Sequence, residues 1–175
     1  MNKIKNNLFG KIIGLCLMTL YQTGCGPSGN HLLHLASPPD DLYIPVATNS
    51  IALHSKGATT EFSFNPKYKD TYEVGIFAVG DPIPATYKFS GEIRIEFIQA
   101  GETISSQTVT NFSSGWYAGN SMDHYKSRAF CSFDVPLQGR SKDKITVRIH
   151  VLKPDQEFEK FKDKVRAWVR VSPIP

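Results

Sequence analysis

The chain has 175 residues, with 20 basic against 16 acidic side chains and three cysteines. Three lysines (Lys3, Lys5 and Lys11) and no acid precede Cys25, so 17 basic residues face 16 acidic ones from Cys25 onward. That near-neutral remainder excludes nucleic-acid binding driven by net charge, and its 151 residues suit one domain with its own core.

The N-terminus is read first. Lys3, Lys5 and Lys11 form a positive n-region, and Ile12 to Leu20 is a short apolar run. A membrane span needs about 20 apolar residues, so the run is an h-region of a signal. Thr23-Gly24-Cys25 closes it, followed by the small, flexible stretch Gly26-Pro27-Ser28-Gly29-Asn30. This pattern resembles a bacterial lipobox, with Gln22 where that pattern prefers an aliphatic residue and Leu20 two places further upstream. The resemblance implies a signal peptide over 1–24, a thioether from Cys25 to diacylglycerol, and a tether over 25–41. Gly26 behind the cysteine implies an outer-membrane address facing the periplasm in a diderm host. An ordinary secretory signal cut nearby, or an uncleaved anchor, are the other readings of the same residues.

Within the tether, His31 and His34 have an i, i+3 spacing, but no third ligand is near and Pro38-Pro39 breaks regular structure. No metal site is expected there. From Leu42 onward, period-2 alternation dominates. Leu42–Val46 and Ile51–Leu53 are short candidate strands. Thr60–Phe64 places Phe62 and Phe64 on one face, and Thr71–Val79 groups Tyr72, Val74, Ile76 and Ala78. The 80–90 connection, stiffened by Pro82 and Pro84, reads as a rigid crossover between sheets. Gly91–Ile98 turns Ile93, Ile95 and Phe97 inward and Glu92, Arg94 and Glu96 outward. Ala100-Gly101-Glu102 is a hairpin turn into the β-branched stretch Thr103–Thr110.

Residues 111–128 read as a long polar loop. In 129–137, Cys131, Phe133, Val135 and Leu137 share an apolar face, with Phe130, Ser132 and Asp134 opposite. Cys131 is then a small buried hydrophobe; were Cys25 not acylated, a Cys25–Cys131 disulfide would be open to it. Lys144–Val151 buries Ile145, Val147, Ile149 and Val151, and Val165–Val171 buries Val165, Ala167, Val169 and Val171. Between them, Pro154-Asp155 opens a short helix with acids early and lysines late, whose Phe158 and Phe161 would cover an open end of the core. About nine half-polar strands predict an all-β, antiparallel two-sheet β-sandwich over 42–175, immunoglobulin-like or jelly-roll-like, with one short helix near the C-terminus.

Two constellations are candidate binding sites. In the 111–128 loop, Trp116, Tyr117 and Tyr125 with Asn120, Asp123 and His124 could stack on and hydrogen-bond a sugar, or anchor a partner protein. On the last two strands, Arg148 and His150 with Arg166, Trp168 and Arg170 would form a basic, aromatic patch if those strands pair. The chain carries no cysteine–histidine metal cluster, no phosphate-cradling or dinucleotide glycine loop and no serine in a nucleophile elbow. No enzyme activity, cofactor or metal is therefore expected. The whole resembles the class of small bacterial lipoproteins made of a signal, a tether and one β-sandwich. That resemblance implies a membrane-anchored, non-enzymatic module with an envelope protein partner, or a glycan- or peptidoglycan-binding module. An envelope hydrolase is the remote alternative.

Overall fold

The computed structural model describes residues 44–84, 86–117, 126–135, 137 and 144–172, all within a compact unit spanning Asp40–Pro175. Cys25, His31, His34, Asn120, Asp123, His124 and Tyr125 lie outside the described residues. Among those described, no helix is long and apolar enough to cross a membrane.

Among the described residues, nine strands form two sheets. They are β1 (Ala47–Ser50), β2 (Thr59–Phe64), β3 (Thr71–Ala78), β4 (Glu92–Gln99), β5 (Glu102–Val109), β6 (Ser114–Tyr117), β7 (Lys126–Asp134), β8 (Ile145–Lys153) and β9 (Val165–Val171). One sheet has the order β1-β9-β3-β7-β6 and the other β2-β8-β4-β5. Every pairing is antiparallel. The chain crosses between sheets at nearly every connection, which is the order of an eight-stranded jelly roll with β6 added as an edge strand. The immunoglobulin-like alternative is thereby set aside.

Alternation explains the core. Ile93, Ile95 and Phe97 of β4 and Ile145, Val147, Ile149 and Val151 of β8 face Tyr72, Val74 and Ile76 of β3 and Ala167 and Val169 of β9, all buried. Each of the valine, isoleucine and phenylalanine side chains among them contributes roughly 1.5–3 kcal/mol on burial. Phe97 and Phe133 meet at 4.3 Å between ring centroids. Ala100 and Gly101 turn β4 into β5, both at positive φ (52° and 80°), as a two-residue hairpin with right-handed strand twist requires.

The connection 79–91 does cross from one sheet to the other, burying Ile83 and Phe89. The expected helix is a 3-10 helix over Gln156–Phe161. Asp155 caps it by accepting the Glu157 N–H at 3.2 Å. Phe158 and Phe161 close the end of the sandwich, with Phe158 edge-on to Tyr87 at 5.3 Å.

Three local expectations are corrected. Leu42–Val46 and Ile51–Leu53 are not strands where they are described: the strand is Ala47–Ser50, between them, and Ile51 and Leu53 reach the core from its exit. Residues 111–128 are not one loop, because Ser114–Tyr117 pairs with Lys126–Ala129 as β6 against β7. Phe130 is buried beside Cys131 rather than opposite it, because the β3–β7 register slips by one residue between Val74 and Gly75.

Candidate functional site

The outer face of the four-stranded sheet carries a groove of about 610 Å³. Its geometry follows from register. Across this face, Glu61 of β2 stands opposite Arg148 of β8, which stands opposite Glu96 of β4. On one side lies the row Thr59, His150, Arg94 and Thr108, and on the other the row Ser63, Thr146, Ile98 and Thr103.

These polar groups hold one another. Arg148 Nε donates to Glu61 Oε2 at 2.8 Å, and Arg148 Nη1 lies 3.5 Å from Glu96 Oε2. His150 sits with Nε2 3.4 Å from Glu96 Oε2 and Nδ1 3.0 Å from the Thr59 hydroxyl. The Ser63 and Thr146 hydroxyls share a hydrogen bond of 2.8 Å. The hydrogen bond that Arg148 donates to Glu61, with the charges of both carboxylates, holds the pKa of the Arg148 guanidinium above its usual range. The groove runs from this ladder to the β4–β5 hairpin, where Ile98, Ala100 and Gly101 form an apolar wall beside Thr103, Thr146 and Lys144.

The basic, aromatic patch does not form. β8 and β9 lie in different sheets, so Arg148 and His150 are separated from Arg166, Trp168 and Arg170. Nor are Trp168 and Arg170 wet. Trp168 lies on the outer face of its sheet but is 1% exposed, across Gly75 of β3. The missing side chain at Gly75 leaves a slot, and the indole fills it. The Arg170 guanidinium stacks 4.4 Å from the Trp168 ring centroid and lies 3.4 Å from Glu73 Oε2, with both ionic side chains buried. Burial lowers the Arg170 pKa, and the Glu73 charge acts against that shift. Arg166 binds the Ser50 hydroxyl at the sheet edge.

Of the aromatic-loop candidates, Trp116 and Tyr117 belong to β6, at the register positions opposite Ser127 and Lys126. Cys131 carries a free, buried thiol, its pKa pushed up to about 12 by burial and by the Glu73 charge. The sequence singles out Arg148 as a site candidate but not Glu61, Ile98, Ala100, Gly101, Thr103, Lys144 or Thr146. The available signal was the polar half of each alternating strand. What assembles those halves is cross-strand register.

No protein-family model and no curated protein sequence matches the chain. Among solved structures, it is similar to a protein from Sulfurospirillum deleyianum at 14% identity and a TM-score of 0.49, over 73% of this chain and 97% of that one. A 4-O-methyl-α-glucuronidase of family GH115 with specificity for decorated arabinogalactans is similar at 13% identity and a TM-score of 0.33, over 77% of this chain and 18% of that one. A carbohydrate-binding module of family CBM36, solved with calcium and xylotriose, is similar at 9% identity and a TM-score of 0.28, over 71% of this chain and 84% of that one. These are weak likenesses, and no functional inference rests on them.

Proposed function

We propose that this chain is a non-catalytic binding module of the cell envelope, tethered through a lipid on Cys25, whose groove takes a hydroxyl-rich envelope glycan. In a diderm host it would face the periplasm from the outer membrane. The observation that carries the glycan reading is the groove itself: a preorganised ladder of paired charges and hydroxyls beside one small apolar wall. Such groups offer donors and acceptors at fixed positions, which suits a ligand made mostly of hydroxyls. Protein hot spots instead centre on aromatic and arginine anchors in dry pockets. Among the described residues, the groove lining holds no aromatic residue. The exposed large apolar residues among those described, Ile44, Val46 and Val79, do not touch it.

The test uses the chain from Cys25 onward, with envelope polysaccharides and peptidoglycan fragments as ligands in calorimetry. Binding is expected, and Thr103→Trp, which fills the groove from an exposed edge-strand position, should weaken it at least tenfold while leaving thermal unfolding unchanged. Absence of glycan binding, or binding untouched by Thr103→Trp, overturns the reading. An envelope protein cross-linked from position 103 without any glycan signal would replace it with a protein-partner role. The anchor is tested separately: a palmitate analogue should label the wild type in cells and not Cys25→Ser.

A further inference from the structure

We infer that the groove's ligand is a saccharide carrying a single carboxylate, seated at Lys144. The inference rests on the groove reading above and adds the charge of the ligand.

Among the described residues, three ionic side chains line the groove: Glu61, Lys144 and Arg148. Glu61 and Arg148 neutralise each other through the 2.8 Å hydrogen bond. Lys144 is exposed just before β8 and has no ion-pair or hydrogen-bond partner among the described residues. Two-residue periodicity puts it on the same outer face as Thr146 and Arg148. Among the described residues it is therefore the one ionic group lining the groove without a partner, and it stands at one end of the groove.

The other end has the opposite preference. Glu61 gives Oε2 to Arg148, which leaves Oε1 to accept a ligand hydroxyl. Glu96 flanks Arg148 on the far side. A second negative charge placed there would meet two carboxylates across one arginine. The groove thus favours an anion at Lys144 and hydroxyls along Thr146 and out to Glu61, which stands opposite Arg148, about four residues or roughly 13 Å of strand from Lys144. A polyanion does not fit this pattern. A sugar framework with one acidic substituent does.

Matched probes isolate the charge. The disaccharide of N-acetylglucosamine and N-acetylmuramic acid carries one lactyl carboxylate, di-N-acetylchitobiose carries none, and digalacturonate carries two. Calorimetry on the chain from Cys25 onward should show the monoacid binding about two- to five-fold more tightly than the neutral sugar, the range of an exposed ion pair. The diacid should bind no better than the monoacid. Lys144→Gln should erase the preference, Lys144→Arg should keep it, and 0.5 M salt should erase it in the wild type. Equal affinity for the neutral and monoacid sugars, a preference that survives Lys144→Gln, or tighter binding of the diacid overturns the inference. In those cases sensitivity to Thr103→Trp still upholds the groove. If none of the sugars binds, both readings fall.

Discussion

Replacing Gly75 with alanine is the sharpest test of how the five-stranded sheet is built. Gly75 lies on that sheet's outer face, between Trp168 of β9 and Ala129 of β7, at the register slip in β3. A β-carbon there would fall well inside contact distance of the Arg128 carbonyl oxygen and of Trp168 Cζ2, and 2.8 Å from Trp168 Cε2. The carbonyl belongs to a paired strand and cannot swing aside. The indole is buried and cannot rotate out. Overpacking costs about 1–3 kcal/mol where neighbours yield. With one rigid and one trapped neighbour, the upper end applies, about 3 kcal/mol. For a domain of this size that corresponds to a loss of about 6–12 °C in Tm. Urea unfolding followed by tryptophan fluorescence measures it, with an unchanged m-value expected. Combining Gly75→Ala with Trp168→Leu removes one of the two obstacles. The pair should therefore couple by at least about 1 kcal/mol in a double-mutant cycle. A Gly75→Ala cost below about 0.5 kcal/mol, or strict additivity with Trp168→Leu, would refute the slot.

Further predictions concern buried polar groups. Glu73→Gln strands the Arg170 guanidinium in the sheet's covered face and should cost about 3 kcal/mol in urea unfolding. The double change Glu73→Leu with Arg170→Met removes both desolvated charges and should lie within about 1 kcal/mol of wild type. Asp155 is fully buried and accepts from the Tyr87 hydroxyl at 2.7 Å and the Ser90 N–H at 3.0 Å as well as capping the 3-10 helix. Asp155→Ala should cost about 3 kcal/mol and Tyr87→Phe about 1 kcal/mol, and similar costs for the two would contradict this arrangement. Alkali should destabilise the fold. Burial pushes the Cys131 thiol from 9.0 up to about 12 and raises Tyr72 and Tyr87 as well. The folded state then keeps protons the unfolded chain releases, so this stability is full below about pH 9 and is lost as pH climbs toward 12. Unfolding free energy measured against pH should fall over that range, less steeply in Cys131→Ala. A flat profile to pH 11 would contradict it.

The inward half of the fold was legible in the sequence because burial acts on one strand at a time. Alternation alone assigns Ile93, Ile95 and Phe97, or Val165, Ala167, Val169 and Val171, to a core face, and the structure buries them. It fails at Phe130, where a bulge adds a residue and the adjacent Phe130 and Cys131 both join the core. β6 escaped notice for a related reason: four residues rich in small and aromatic side chains carry too short a period to stand out in a polar stretch.

The outer faces behave differently, because their chemistry is decided between strands. Alternation correctly put Trp168 outside the core, and an outward tryptophan flanked by arginines reads as a wet patch. It is dry because residue 75, 93 positions earlier, is the glycine that lies across from it. Arg170 is buried because Glu73 sits opposite, 97 residues away. Arg148 becomes part of a groove because Glu61, 87 residues earlier, pairs with it. For both arginines, as for the tryptophan, a residue on the polar side of a C-terminal strand has its role set by one distant neighbour. Reading function from a jelly roll's sequence therefore requires the strand order first: a β8–β9 hairpin would have made one basic surface of these residues, and the crossover between sheets makes a buried ion pair on one face and a polar groove on the other.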